Sequence, residues 1–370
     1  MIEYPQKLTS IPPNFCSIKD YEEAAKKALP HPIWEYISSG SADETTLQNN
    51  LRVFQGIRLW NRVLKDLTNG NTKTRFLNQD FNHPILLGPV AHQKLVDPDG
   101  ELATAQAADA TDTCMVVSTL ASHTLEDIAS QGQARLWFQL YWQSTRERSL
   151  ELVWRAEEAG YQALVVTVDA PINGLRRRIQ RTGFSVPPEA ASANTTAENI
   201  QFKIQTHESE IFQGWMSQAP TWEDIAWLIK QTKLPVVLKG ILNPLDAEKA
   251  ESLGAQAIVL SNHGGRSLDN TPSPLEVLPY IRANLGHEFP LLLDGGVRQG
   301  SDVFKALALG ANAVFIGRPQ LYGLTVAGAL GVAHLIQTLK QELEVTMALA
   351  GCASLKDINK ECLFESTLYK

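Results

Sequence analysis

The residues best suited to do chemistry form one hexapeptide, Ser261-Asn262-His263-Gly264-Gly265-Arg266. It follows Gln256 to Leu260, a short apolar run with β-branched residues, so it reads as the loop leaving a buried strand. A histidine at such a strand end moves a proton near neutral pH, and an arginine three residues later holds a carboxylate through two parallel hydrogen bonds. The chemistry implied is acid-base work on a small anion. The same six residues also suit an ordinary glycine turn with a solvated His and Arg, so the surrounding elements have to decide.

Eight short apolar runs recur along the chain: Pro84 to Val90, Cys114 to Ser118, Leu136 to Tyr141, Ala163 to Val168, Pro235 to Lys239, Ala257 to Ser261, Pro290 to Asp294 and Ala313 to Gly317. Between most of them lie stretches of helical composition, over 100–110, 125–131, 149–159, 245–253 and 301–309. Strand and helix in alternation predict an α/β parallel sheet, and eight repeats predict a closed (β/α)8 TIM barrel over an open doubly wound sheet. Residues 1–80 read as an N-terminal helical segment, with helices over 18–29 and 32–38 and a turn or helix over 44–50. The connection after strand 4, residues 170–233, is far longer than an ordinary βα loop and reads as a lid or an insertion. Its middle, Pro187 to Asn199, has the composition of a mobile segment. Residues 326–349 read as a closing helix, and the whole chain, 1–370, as a single domain.

A barrel gathers the carboxyl ends of all its strands at one face, which turns scattered polar residues into a constellation. Strand 1 ends at Ala91, strand 2 at Ser118-Thr119-Leu120, strand 3 at Gln139-Leu140-Tyr141, and strand 4 at Thr167-Val168-Asp169 with Arg176 beyond. Strand 5 contributes Lys239, strand 6 Ser261, His263 and Arg266, strand 7 Asp294, Gly296 and Arg298, and strand 8 Gly317 and Arg318. Arg298 and Arg318 follow glycines on the last two strands, where barrels bind phosphate, so a phosphorylated cofactor is expected. The chain has no Gly-x-Gly pair and no Walker A loop, which argues against a Rossmann dinucleotide site and a P-loop. Lys239 either pairs with a core carboxylate or stabilises negative charge on a cofactor ring. Asp169 either orients His263 or caps a helix, and Tyr36 and Tyr141 are pocket hydroxyls or core aromatics.

A formal charge of −7 and a pI near 5.7 speak against nucleic acid as a partner. Four scattered cysteines give neither a zinc spacing nor a disulfide framework, and no metal site is expected. Residues 1–13 lack the apolar core of a secretory leader, and no stretch reads as a membrane span. A cytoplasmic protein is the expectation.

Four motifs in order, Leu-Lys-Gly at 238–240, Ser-Asn-His-Gly-x-Arg at 261–266, Asp-Gly-Gly-Val-Arg at 294–298 and Phe-Lys-Ala-Leu-Ala-Leu-Gly-Ala at 304–311, closely resemble the FMN-dependent L-2-hydroxy-acid oxidases and dehydrogenases, the family of glycolate and lactate oxidases. The resemblance runs from Tyr21 to Leu355. It implies FMN as cofactor, His263 as catalytic base, Asp169 as its partner, Arg176 and Arg266 as the carboxylate grip, and Tyr36 and Tyr141 as active-site tyrosines. It further implies that Lys239 sits by the electron-rich edge of the flavin, that Ala91, Ser118, Gln139, Thr167 and Ser261 line the ring, and that Asp294, Gly296, Arg298, Gly317 and Arg318 hold the ribityl phosphate. Where glycolate oxidases carry a tryptophan this chain has Leu120, which opens the pocket toward a methyl group or longer chain, with Phe212 of the lid as a further apolar wall. The resemblance therefore points to a small 2-hydroxy acid, L-lactate before glycolate, to O2 as electron acceptor, and to a homotetramer or higher assembly. An FMN-barrel isomerase and a non-catalytic flavin-binding barrel are the rival readings.

Overall fold

The computed structural model describes residues 2–195, 205 and 207–364. Eight parallel strands close into a barrel: Ile85–Leu87, Met115–Ser118, Leu136–Leu140, Leu164–Thr167, Val236–Ile241, Ala257–Leu260, Leu291–Leu293 and Ala313–Ile316, the eighth pairing with the first. Alternate strand residues face opposite ways and divide into two cores. Leu86, Val116, Trp137, Val165, Val259 and Phe315 fill the barrel interior, while neighbours such as Ile85, Val117, Phe138 and Val166 pack against the helices. A hairpin of Thr74–Phe76 and Gln79–Phe81 plugs the lower end. Its Phe76 and Phe81 rings stack at 4.3 Å, and Trp137 meets each edge-on at 6.2 Å. The barrel floor is thus solid, and the polar residues collect at the other end.

Register sets which side chains meet there. Ser118 lies beside Gln139 on neighbouring strands, and Thr167 beside Lys239. The fifth strand bulges between Lys239 and Ile241, at Gly240, whose φ is +109°. A Cβ on Gly240 would stand 2.5 Å from the Cβ of Asp169, so only glycine lets Asp169 lie against this strand.

Several expectations need correction. The first 80 residues are not all helical: α1 (Ile18–Ala28), α2 (His31–Ser38) and α3 (Thr45–Gly56) are followed by strand Arg58–Leu59, which pairs with Leu363–Phe364, and by the hairpin. Helices Trp222–Ile229 and Pro274–Leu285 lie outside the stretches read as helical, and the closing helix expected over 326–349 follows a break at Ala327 and Gly328, with a further helix from Arg318 ahead of it. The stretch Arg318–Ala350 has the length and mean hydropathy of a membrane span, but the break at Ala327 and Gly328 divides it, and it packs against α1 and Gly100–Ala110 and buries most of its apolar face.

The long loop is also less free than its composition suggests. Of the segment expected to be mobile, 196–199 lies outside the described residues, while 187–195 is pinned to the end of the second strand. Ala193 N–H donates to Ala121 O at 2.9 Å, and Ser192 Oγ donates to Thr119 O at 3.1 Å. The buried Asn194 takes Leu125 N–H at 3.0 Å and donates to His123 O at 2.9 Å. Its small polar side chains serve as caps for backbone groups.

The start of this loop is tied to the N-terminal helices by Arg178, two residues beyond Arg176. Arg178 donates to both Glu35 oxygens at 2.5 and 2.8 Å, to Glu44 at 3.1 Å and to Ser38 Oγ at 3.0 Å. Glu35 directly precedes Tyr36, so this fork fixes Tyr36 and Arg176 relative to each other. The Arg178 hydrogen bonds hold the Glu35 carboxyl below its ordinary value against the opposing effect of burial. Its contribution to stability is therefore complete above the ordinary glutamate pKa and is lost as pH falls through the lower folded value. Arg178→Met is expected to cost roughly 1–2 kcal/mol near pH 7 and, if the site gathers as expected around Tyr36 and Arg176, to raise the KM of its substrate roughly tenfold with kcat little changed. Thermal melts should show the gap between wild type and variant narrowing below about pH 4; equal KM values would show that Arg178 does not position the site.

Candidate active site

The loop after the sixth strand carries three consecutive residues in the left-handed region: His263 at φ 58°, Gly264 at 62° and Gly265 at 75°. For a histidine this costs about 1–2 kcal/mol, so the neighbourhood must impose it. His263 N–H donates to Ser261 Oγ at 3.0 Å, and Gly265 N–H donates to the side-chain oxygen of Asn262 at 3.1 Å. Asn262 in turn exchanges two hydrogen bonds of 2.8 Å with Asn50 on α3. A Cβ on Gly265 would fall 2.7 Å from Leu47 N, so α3 presses directly on the loop.

The imposed geometry aims the imidazole at two groups. His263 Nδ1 lies 3.1 Å from Asp169 Oδ1, and its Nε2 lies 3.2 Å from the Tyr141 hydroxyl. The carboxylate fixes the tautomer with a proton on Nδ1, which leaves Nε2 as the acceptor that faces Tyr141. Burial works to raise the Asp169 pKa, but His263 and then Lys239 outweigh it and the carboxylate is held below its ordinary value. Asp169 is therefore the charged orienting partner of the histidine and not a helix cap. Burial pushes the Tyr141 phenol up to about 12, so it stays protonated as a donor.

Arginines crowd the other side. Arg266 donates through Nη1 to the carbonyls of Tyr36 at 2.8 Å and Ser39 at 2.9 Å, and its guanidinium lies 5.4 Å over the Tyr36 ring. Burial, with repulsion from Arg176 and Arg318 added to it, pushes the Arg266 pKa down to about 9. The buried Arg176 Nε has no hydrogen-bond partner among the described residues. Cations that repel one another and keep donors in reserve make a site for an anion.

The remaining strand-end residues form a continuous polar floor. Ser118 Oγ donates to Gln139 Oε1 at 3.1 Å, and Gln139 Nε2 donates to Thr167 Oγ1 at 3.0 Å. Lys239 Nζ meets Asp294 Oδ2 at 2.9 Å and donates to Ser261 Oγ at 2.8 Å. Burial alone would lower the Lys239 pKa, but Asp294 and Asp169 overcome it and the ammonium stays charged. The other Asp294 oxygen and Asp169 Oδ2 are buried with no hydrogen-bond partner among the described residues, which leaves acceptors ready for hydroxyl or N–H donors of a bound group. This donor and acceptor set fits a flavin with a ribityl chain. Beyond Gly317 there is open space where a Cβ would point, as an approaching phosphate requires. Arg318 is more committed than the sequence suggests: Nε, Nη1 and Nη2 donate to the carbonyls of Ile37, Gly264 and Ser39, each at 3.0 Å. Only its remaining N–H groups are available to an anion. Arg298 donates to the carbonyl of Val297 at 2.9 Å.

Ala91 is half-buried beside His92, and Leu120 lines a cavity together with Tyr141. Phe212 does not: it is 71% exposed, so the apolar wall expected from it is supplied by Trp215 and Met216. Sequence reasoning missed Arg178, the Asn50–Asn262 pair and Glu101. The buried Glu101 accepts the N–H groups of Gln93 and Ser122, each at 3.0 Å, and so ties the loop after Ala91 to the loop after Leu120.

Comparison with known proteins agrees with this geometry. The family model described as FMN-dependent dehydrogenase matches residues 25–365. The chain is 48% identical over 358 residues to an L-lactate oxidase of Alicycliphilus denitrificans, covering 96% of this chain and 98% of that protein. It is 39% identical over 363 residues to 2-hydroxyacid oxidase 1 of Homo sapiens, covering 96% and 98%. Among solved structures, mandelate oxidase with (S)-2-phenylpropionate superposes with a TM-score of 0.85 at 40% identity, covering 95% of this chain and 98% of that one. A histidine oriented by a buried carboxylate, an anion grip and a flavin floor on a closed barrel thus have one family in common with these proteins: the chain belongs to the FMN-dependent 2-hydroxy-acid oxidases and dehydrogenases.

Proposed function

We propose that this enzyme oxidises L-lactate to pyruvate and passes the electrons to O2, giving hydrogen peroxide. The observation that carries the reading is that Arg266 and Arg176 act on Tyr141, whose hydroxyl lies 3.2 Å from the acceptor Nε2 of His263, while Asp169 holds Nδ1. FMN, when bound, supplies the two-electron acceptor. The guanidinium groups of Arg266 and Arg176 grip the carboxylate, which fixes the α-carbon and removes much of the entropic barrier. His263 Nε2 takes a proton from the substrate, the Tyr141 hydroxyl steadies the substrate oxygen, and Asp169 stabilises the imidazolium that forms. The Lys239 ammonium balances negative charge that develops at the floor of the site. Ala91, Ser118, Gln139 and Thr167 line the ring in this reading, while Asp294, Gly296, Arg298, Gly317 and Arg318 hold the ribityl phosphate.

L-lactate is favoured over glycolate by Leu120 and by relatives at 48% and 46% identity that are L-lactate oxidases; O2 as acceptor draws on the same names. An isomerase or a purely binding barrel has no use for a histidine, a buried carboxylate and two arginines meeting at one point. His263→Gln is expected to keep its yellow FMN and to lose anaerobic flavin reduction by L-lactate by roughly 10²–10⁴ in rate. Stopped-flow absorbance measures this, and near-normal reduction would remove His263 as the base.

A further inference from the structure

Cys352 and Cys362, 10 residues apart in the C-terminal segment, are both buried as free thiols and bring their sulfurs to 3.8 Å. The reaction at His263 uses neither. Backbone hydrogen bonds on both sides hold the pair in place. Cys352 follows Gly351, which ends the long helix at φ 78°, and its N–H donates to Met347 O at 2.9 Å. Cys362 closes the short turn Lys360–Cys362; its N–H donates to Asn359 O at 3.0 Å, and its carbonyl accepts the Trp60 N–H at 2.8 Å. Both thiols reach toward one acceptor, Asp357 O, at 3.7 and 3.6 Å. A thiol is a weak donor, so these contacts hold neither sulfur firmly. The step from this separation to a disulfide bond of about 2 Å is within reach of side-chain rotation.

The position gives such a bond a mechanical consequence. Leu363–Phe364, the strand directly after Cys362, pairs with Arg58–Leu59, and the Phe364 ring packs on Trp60 at 5.0 Å. In the thiol form, this pairing and these ring contacts hold the two-residue strand. A Cys352–Cys362 bond would join it covalently to the end of the long helix and restrict the unfolded chain.

A small neutral oxidant has a short way in. Leu355, Ile358 and Lys360, in the loop between the cysteines, line an open cavity at the lower end of the barrel together with Thr74 and Phe81 of the hairpin. Cys362 is the more exposed of the two, at 9% against 4%. Burial and the facing Cys362 raise the Cys352 thiol to about 12, so the first attack falls to Cys362.

We infer that Cys352 and Cys362 are a peroxide-driven disulfide site that clasps the C-terminal strand to the long helix. The Cys362 thiolate attacks H2O2 and breaks the O–O bond, giving a sulfenic acid and hydroxide, which the released thiol proton converts to water. The Cys352 sulfur then attacks the sulfenyl sulfur: the S–S bond forms, the S–O bond breaks, and a second water leaves with the remaining thiol proton. Two thiols and one H2O2 become one disulfide and two waters, the sulfurs giving up two electrons. The site stands on the sulfur geometry; only a supply of peroxide from the enzyme itself rests on the proposed oxidation.

The test treats the FMN-loaded protein with H2O2, then unfolds, alkylates and digests it with trypsin in the absence of reductant. Lys356 and Lys360 lie between the cysteines, so trypsin parts them unless a disulfide joins their peptides. The expected product is a linked pair two hydrogens lighter than the thiol forms, with Cys114 alkylated. The oxidised protein should melt roughly 2–4 °C above the reduced one and lose the difference in dithiothreitol. Cys352→Ala and Cys362→Ala should each show neither the link nor the rise. Alkylation of both cysteines after peroxide, sulfinic acid at Cys362 without a link, or a link with no rise in melting temperature overturns the inference. Added peroxide makes the test independent of turnover, so its failure leaves the proposed oxidation standing, and a failure of flavin reduction by L-lactate leaves the disulfide standing.

Discussion

The constraint on which this structure turns is the repulsion among guanidinium groups gathered at the mouth of the barrel. Arg266 sits deep enough, and close enough to Arg176 and Arg318, that its charge is held at a cost. Among the described residues no carboxylate pairs with it; backbone carbonyls of residues 36, 37 and 39 do part of that work, and Arg318 draws on the same stretch. The last turn and C-cap of α2 are therefore built as an acceptor surface for arginine donors. The donor left over, Arg176 Nε, is what a bound carboxylate would engage. Balanced negative charge is placed elsewhere, in Asp169 and Asp294, where it serves His263 and Lys239.

Such an arrangement needs a frame that cannot relax, and the frame is made by close backbone approach. The left-handed turn at His263 is pressed by α3 through Gly265, and Asp169 fits only because position 240 is glycine. The Asn50–Asn262 pair ties α3 to the loop in the buried zone, where an unpaired amide would cost about 1–3 kcal/mol. Strain held at the histidine is thus offset by hydrogen bonds one and two residues away, and the imidazole gains a fixed direction.

Much of this was legible in the sequence because a barrel converts strand order into spatial convergence. Apolar runs that end in Lys239, Asp169 or Ser261-Asn262-His263 announce both the strand and its functional end. The family relation and FMN are supported by the comparisons. What stayed hidden has physical reasons. The lower hairpin turns on Leu77 and Asn78, both at positive φ, with no glycine to signal it. Helix Pro274–Leu285 carries Pro279 inside it, which reads as a breaker. The Arg178–Glu35 fork joins residues 143 apart and the Asn50–Asn262 pair residues 212 apart, so no local spacing marks them. Serines and asparagines in 187–195 read as disorder until their backbone partners on the second-strand loop are seen.

The central claim is that paired guanidiniums hold the substrate by its carboxylate above the flavin, and dead-end binding tests it without any turnover. Titration of the FMN-loaded protein with oxalate, followed by the change in flavin absorbance, should give saturable binding. Arg266→Met should weaken it roughly tenfold to a hundredfold, the value of about 1.5–3 kcal/mol for a charge-assisted hydrogen bond. An oxalate Kd unchanged in the Arg266→Met protein, with its flavin still bound, would contradict the account.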